Sequence, residues 1–381
     1  MIKYLRFSLG ILLVTIMYCS PKQTSQALRV NLSDIQNISI DQWFSSVEII
    51  PLETVDSSLL HECSHIEYYH ERYYVFDRRQ QAVFVFDTTG KFLFNTLSSI
   101  GRGPGQYVTN MGIAINRTTG NLEVLDWHAR KIRIFNKDGI FINDFSFPEE
   151  IVPIREFRSL SAELYLFYVR DWKKNRECIN VYDVTEQRVV KRMLMMNSYE
   201  DNFVSTSRNA FYWMDTTLCF SHTYANNDIY QIGASLDFQK LYSYDFGNKT
   251  FNSNALPKSE SPQFYKSFDR DNKDRYAFPA LKFESKDYHF CFFLLNDLLY
   301  ISRHHKGRSG GHTKGDVVYT RFDGGGMIFP PILFAKQYLY NVIEPSWIPY
   351  MMNPLFSDCQ KELLGKIKED DNPLLLKYRY K

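Results

Sequence analysis

The chain has 381 residues, 44% hydrophobic and 16% aromatic, which suits a large core and is too apolar for a disordered chain. Lysine and arginine number 45 against 43 acids, a formal charge of +2. No basic run interleaves with aromatics, so nucleic acid is not an expected partner.

Lys3 and Arg6 form a positive opening, and Phe7 to Met17 follow as an apolar run of 11 residues. That run is too short for a membrane span, which needs roughly 20, and has the order of a secretory signal. Cys19 comes next, ahead of the polar stretch Ser20 to Gln26. This order is similar to a bacterial lipoprotein signal, although bulky Tyr18 stands where a small residue is usual. It predicts a signal peptide over 1–18, lipidation of Cys19, and attachment to the cell envelope, at the periplasm or outer membrane, through lipid alone. Residues 19–45 read as a tether and irregular lead-in, and residues 46–381 as one folded domain. Five cysteines remain after Cys19, with no CxxC pair. Cys219 and Cys291 lie in apolar strand contexts and read as buried thiols. One bridge among the five could not be assigned by spacing.

Val47 to Leu52 reads as a first strand. Four short strands follow, at 66–69, 73–76, 82–86 and 92–96. The stretch Tyr73 to Thr96 is then repeated without a gap by Leu122 to Phe145. Val75, Asp77, Phe86, Gly90 and Phe92 recur as Val124, Asp126, Phe135, Gly139 and Phe141, each 49 positions on. A constant period of this size marks a repeated supersecondary unit. Alternation in Val83 to Phe86 and Ile132 to Phe135 is strand-like, and Asp87 with Gly90 supplies hairpin-turn chemistry. The unit is a propeller blade.

Later blades diverge. Leu164–Val169 and Ile179–Asp183 read as the inner and outer strands of a third. Leu218–His222, Asp228–Ile232 and Leu241–Phe246 make a fourth. Residues 247–282 read as an inserted loop with a short helix around Pro262–Phe268. Tyr288–Leu295, Leu298–Ser302 and Val317–Phe322 make a fifth, and residues 333–381 a sixth, with a short helix near Ser357–Lys368. Lone strands at the two ends can pair to close the ring, which removes exposed sheet edges. The expected fold is an all-β, six-bladed β-propeller, with Val47–Thr54 beside Pro373–Tyr380.

Ile50-Pro51-Leu52-Glu53-Thr54, Gly101-Arg102-Gly103-Pro104-Gly105-Gln106-Tyr107, Asn227-Asp228-Ile229-Tyr230, Tyr244-Asp245-Phe246-Gly247 and Asp371-Asn372-Pro373-Leu374-Leu375 span most of the chain. With them the chain resembles the six-bladed propeller lipoproteins of Gram-negative gut-type bacteria, related in shape to NHL-repeat and TolB-like propellers. The resemblance implies fold and compartment rather than an activity.

The Gly101–Gly105 run invites a phosphate-loop reading, since successive amides can form an anion nest. No helix and no GK[ST] follows, so an inter-blade crossover is the expected role. His304, His305 and His312 lie in a polar, Gly-rich stretch, Arg303 to Asp316, read as an exposed loop rather than a metal site. Asp126-Trp127-His128 and Asp171-Trp172-Lys173 set an aromatic beside a carboxylate, suited to stacking a sugar, although Asp126 also reads as a strand-end cap like Asp77. No GxSxG or HExxH occurs, and no catalytic set, cofactor or metal is expected. The candidate ligand-binding residues are Arg102, Trp127, His128, Trp172 and Arg303, expected on loops around one channel mouth. The expected function is an exported, membrane-tethered module binding a small ligand, such as a glycan or peptide, or an envelope protein. The alternatives are a lyase or hydrolase working in the channel, and an envelope scaffold.

Overall fold

A computed structural model describes residues 26–33, 35–171, 176–197, 210–214, 216–222, 226–233, 236–251, 271–285, 287–306, 316–319, 325, 333–335, 337–351 and 353–381. The chain opens with β1 (Gln26–Arg29), β2 (Ile35–Gln36) and β3 (Phe44–Pro51). Blade one is β4 (Cys63–Tyr69), β5 (Arg72–Asp77), β6 (Ala82–Asp87) and β7 (Phe92–Asn95). Blade two is β8 (Asn110–Ile115), β9 (Leu122–Asp126), β10 (Lys131–Phe135) and β11 (Phe141–Ser146). Blade three is β12 (Ile154–Ser159), β13 (Leu164–Asp171), β14 (Arg176–Asp183) and β15 (Arg188–Asn197). Blade four is β16 (Phe211–Met214), β17 (Thr217–Phe220), β18 (Asp228–Ile232) and β19 (Phe238–Asp245). Blade five is β20 (Phe278–Glu284), β21 (Tyr288–Leu295), β22 (Leu298–His305) and β23 (Asp316–Tyr319). In blade six, β24 (Leu333–Ala335) and β25 (Tyr338–Ile343) precede α1 (Asp358–Leu364) and β26 (Leu374–Tyr380).

Six sheets of this kind make a six-bladed β-propeller. The ring closes where expected. β26 pairs antiparallel with β3, Leu375 opposite Ile50 and Tyr378 opposite Val47, so blade six takes its outermost strand from the start of the chain.

The lead-in is more ordered than the sequence suggests. β1 adds in parallel to the outside of blade four, Gln26 opposite Tyr242. β2 adds in parallel to blade five, Ile35 opposite Val317. β1, β2 and β3 therefore lie on the outer edges of blades four, five and six. The proposed loop over 247–282 also ends earlier than expected, because Phe278 to Lys282 belong to β20. The helix expected around Pro262–Phe268 lies outside the described residues. Leu164–Val169 and Ile179–Asp183 prove to be the second and third strands of blade three, inside which β12 lies.

Apolar residues fill the space between blades. Successive side chains of a strand point to opposite faces, and here both faces are covered. Tyr73 and Val75 pack toward blade six, while Tyr74 and Phe76 pack toward blade two. Leu375 packs toward blade one and Leu374 and Leu376 toward blade five. Such doubly buried strands read as continuous apolar runs. Val83 to Phe86 are fully buried, each contributing roughly 1.5–3 kcal/mol by leaving water.

The repeat has a physical cause. Asp77 is buried at the end of β5 and accepts from the amides of His61, Glu62 and Gln80, at 2.5, 3.1 and 2.9 Å. Asp126 is buried at the end of β9 and accepts from the amides of Val108, Thr109 and Ala129 at 3.3, 3.4 and 3.3 Å. Each ties the strand entering its blade to the following turn. In the Gly101–Gly105 crossover, Gly101 N–H donates to the Tyr107 carbonyl and Gly103 N–H to Gln106 Oε1, both at 2.9 Å. Those amides are engaged within the crossover itself.

All five cysteines after Cys19 are free thiols, with Cys219 and Cys291 buried. Burial pushes both up to about 12. Cys19 lies outside the described residues.

Candidate functional site

The first strand of each blade faces the centre of the ring, and neighbouring first strands approach one another there. Their polar residues recur with period two: His65 and Glu67 on β4, Glu156 and Arg158 on β12, Lys282 and Glu284 on β20. Alternation points one set of side chains into the channel and the other into a blade interface.

Arg158 is the hub. Its Nη2 meets Glu67 Oε1 at 2.7 Å and Glu156 Oε1 at 3.1 Å. Its Nη1 donates to the carbonyls of Ile113 and Phe157 at 3.3 and 3.0 Å. His65 Nε2 lies 2.9 Å from the same Glu67 oxygen. Glu156 Oε2 accepts from the Ala210 amide at 2.8 Å. One guanidinium thus joins blades one, two and three, and its partner Glu156 reaches the start of blade four. Burial alone would raise Glu67, but Arg158 and His65 more than reverse this and hold it at about 2. Burial dominates at Glu156 and lifts it to about 7 against the pull of Arg158. Glu123, behind this network, accepts from Tyr165 O–H at 2.7 Å and Asn116 Nδ2 at 2.9 Å, and burial lifts it too to about 7.

A second cluster lies beside blade five. Glu284 pairs with Lys306 at 2.7 Å and approaches His289 at 3.5 Å, and Tyr212 O–H donates to it at 3.3 Å. Buried Lys282 donates to the carbonyls of His222 and Asn226, at 2.9 and 2.5 Å, and burial lowers it to about 8.

Above the Arg158 network opens a cavity of about 580 Å³, lined by residues including Glu67, Tyr69, His70, Arg117, Tyr212, Trp213 and Phe334. It sits where the first strands end and turn outward. His70 and Glu71 form that turn in blade one, both with positive φ, +45° and +60°. This left-handed pair is unusual without glycine and aims both side chains at the cavity wall. Arg117 leaves the end of β8, and its guanidinium lies over the Trp213 ring, 4.8 Å from the centroid. Tyr69 O–H donates to the Arg117 carbonyl at 3.1 Å and steadies that loop. Among the described residues, no hydrogen bond or close ion pair occupies the Arg117 guanidinium. Desolvation lowers its pKa; Glu67 pulls the other way, and the Arg158 charge adds a smaller lowering.

The site expected from sequence falls elsewhere. Trp127 and His128 sit in the turn between β9 and β10, tied by the Trp127 amide to Thr109 O at 3.1 Å and by His128 Nδ1 to Thr109 Oγ1 at 2.5 Å. Asn110, at the start of β8, pairs with Asp126, so this turn lies at the opposite end of the strands from Arg117. Arg102 is exposed in the crossover entering blade two, toward that same opposite end. Arg303 is not in a loop. It lies within β22, with its guanidinium 4.4 Å from the Trp43 ring centroid and 5.0 Å from that of Tyr288. None of these four lines the cavity, and the structure does not gather them at one mouth. Trp172 lies outside the described residues. His304 and His305 also belong to β22 rather than a loop, His304 buried and His305 exposed, while His312 lies outside the described residues. Among the described residues no group of three or more His, Cys, Asp or Glu side chains is placed to hold a metal.

Sequence reasoning missed His65, Glu67, Arg117, Arg158, Tyr212 and Trp213. The signal available was the alternation of charged residues in the first strand of several blades.

A Bacteroides fragilis NCTC 9343 protein described as exported superposes with a TM-score of 0.71 at 17% identity, covering 93% of this chain and 100% of that one. A member of the duf4221 family from Bacteroides vulgatus ATCC 8482 superposes at 0.55 and 9% identity, covering 92% and 99%. At these identities the likeness is one of fold. Virginiamycin B lyase from Staphylococcus aureus is more distant, with a TM-score of 0.37 at 14% identity over 73% of this chain and 75% of that one. No curated protein matches the sequence. The model of the family described as "Domain of unknown function (DUF4934)" matches residues 27–379, and with nearly the whole propeller inside that match, the chain belongs to this family.

Proposed function

We propose that this chain is an exported, membrane-tethered propeller that binds a ligand in the channel mouth without chemically changing it. The observation that carries this reading is Arg117. Its charge lies over an aromatic plane at the edge of a cavity of about 580 Å³, while the carboxylates below it already have partners. A preformed hollow with a few placed polar groups suits small-molecule binding. Glu156 and Glu67 are engaged by Arg158 and, at Glu156, by backbone amides, which suits a rigid floor better than proton transfer.

Export is supported by the order of positive region, apolar run and Cys19, and by the Bacteroides fragilis relative described as exported. Lipid on Cys19 would supply the tether.

The test is a thermal-shift screen of glycans, nucleotides and peptides, repeated on Arg117→Ala and Trp213→Ala. A native-state ligand raises the melting temperature. The reading requires a shift in the wild type that both variants abolish, with no product formed. Turnover of the ligand would move the reading to an enzyme. A shift that survives both variants would remove the mouth as the site. Separately, Cys19→Ser should move the protein from the membrane to the soluble envelope fraction, and an unchanged distribution would exclude the lipid tether.

A further inference from the structure

A second hollow, of about 490 Å³, lies between blades six and one and is lined by residues including Glu48, Tyr68, Glu71, Thr88, Tyr338 and Lys377. Tyr68, Glu71 and Ala335 border both this hollow and the channel mouth. The two spaces therefore adjoin along a shared border, formed by the end of β4 with its left-handed turn and by Ala335 of β24.

Their linings differ. The mouth offers Arg117 on Trp213. The outer hollow offers half-buried aromatic surface: Tyr68 lies against Tyr73 at 5.2 Å and Tyr340 at 6.4 Å, and Tyr338 is faced by the Lys377 ammonium at 4.5 Å. Lys377 is itself paired with Glu48 at 2.8 Å. Around the rings stand the carboxylates of Glu71 and Glu48 and the hydroxyl of Thr88.

We propose that the two hollows form one elongated site for a short oligosaccharide carrying a single acidic unit, its carboxylate on Arg117 and its neutral units along Tyr68 and Tyr338. The inference rests on the ligand-binding reading of the mouth. A guanidinium fork suits a carboxylate in two parallel hydrogen bonds. Tyrosine rings present flat apolar area to the faces of sugar rings. A carboxylate beside the rings accepts from sugar hydroxyls, and Glu71 would repel a chain acidic along its whole length. An extended peptide needs backbone partners at regular spacing, whereas the polar groups that mark the outer hollow are those of side chains.

The experiment is calorimetric titration of the full chain with four probes: aldotetraouronic acid, which joins one uronic acid to three xylose units; xylotetraose; glucuronic acid; and an acidic tetrapeptide. The tetrasaccharide acid should bind at least roughly tenfold more tightly than either partial probe. Arg117→Ala should make the acidic and neutral tetrasaccharides equal. Tyr338→Ala should bring the acidic tetrasaccharide down to the level of glucuronic acid and leave glucuronic acid itself unchanged. Equal affinity for the acidic tetrasaccharide and glucuronic acid in the wild type would overturn the joined site. Tighter binding of the peptide, or variants that leave these differences intact, would overturn the oligosaccharide. If none of the four binds while the thermal-shift screen still yields a ligand lost in Arg117→Ala and Trp213→Ala, this inference falls and the binding mouth stands. If the screen is empty as well, both fall.

Discussion

Arg158 of blade three meets Glu67 of blade one at 2.7 Å, spanning the first strand of blade two, whose Ile113 carbonyl also accepts from it. Both side chains are largely closed off from solvent, 5% and 15% exposed. The pair therefore links blades that share no sheet, and it forms the floor of the cavity. Removing the cation would leave Glu67 and Glu156 without their shared partner. Arg158→Met should cost about 3–5 kcal/mol, the usual penalty for breaking a buried pair from one side. Glu67→Gln added to it should restore part of that loss, because one stranded charge is gone. Urea unfolding of the two variants and the double variant measures this, and a loss under 1 kcal/mol for Arg158→Met would show that the hub is solvated.

The buried acids set opposite pH limits. Glu123 and Glu156 are lifted by burial to about 7 in the fold, above the value of about 4.3 for an unfolded glutamate. Their proton is held more tightly in the folded state. That stability is complete below about pH 4.3 and is lost as pH rises through 7. Glu67 runs the other way. Held at about 2, it stabilises the fold above about pH 4.3 and ceases to as pH falls through 2. Stability should therefore peak near pH 4.5 and decline by a few kcal/mol toward pH 8. Glu123→Gln keeps an oxygen for Tyr165 and Asn116 and should flatten the decline. Unfolding free energies at pH 3, 4.5, 6 and 8 test it, and equal slopes for the two proteins would contradict the assignment of Glu123.

Ring closure can be opened directly. Leu374, Leu375 and Leu376 are fully buried and serve the two interfaces that flank blade six. Deleting residues 372–381 removes them and strips a partner from both β25 and β3. The exposed edges should pair between molecules and aggregate. A truncated protein that stays soluble and keeps its melting temperature would mean that β26 does not close the ring.

Much of this architecture was legible because the outer three strands of blades one and two obey the same rules. Asp77 and Asp126 perform one task, Gly90 and Gly139 another, and the intervening apolar runs are buried on both faces. The repeat stops being readable just before Tyr73 and Leu122, and the reason is geometric. The turn into β5 has two residues, His70 and Glu71, whereas the loop from β8 to β9 runs from Asn116 to Asn121. The first strands therefore lose the common register, and they face the channel rather than a standard interface. The candidate site lies on those strands. Glu67 and Arg158 look in sequence like ordinary strand charges, and only the ring brings them together. β1 and β2 were illegible for another reason: four and two residues carry no pattern, and their partners lie in blades four and five, far along the chain. Trp127 and Trp172 stood out as aromatics beside a carboxylate in expected loops, a pattern that carries no information about which end of a strand faces the cavity.

The glycines of the repeated turns provide a graded test of blade packing. Gly90, at φ +87°, lies so close to blade six that an added Cβ would sit 2.0 Å from the Pro51 carbonyl oxygen. The same turn accepts the Glu53 amide on the Gly90 carbonyl at 2.8 Å, so the backbone cannot retreat without losing that bond. Gly139, at φ +79°, would place its Cβ 2.6 Å from the Phe94 ring of blade one. Gly247, at φ +64°, would meet nothing within 4 Å among the described residues. All three alanine variants carry the left-handed penalty of about 1–2 kcal/mol. Gly247→Ala should show little beyond that. Gly139→Ala should cost more, because Phe94 must turn aside. Gly90→Ala should cost most, several kcal/mol, because its obstacle is backbone at the joint that closes the ring. Thermal and urea unfolding of the three variants give the order. If Gly90→Ala proves no worse than Gly247→Ala, the blade-one turn does not pack against Pro51, and the placement of β3 beside blade one is wrong.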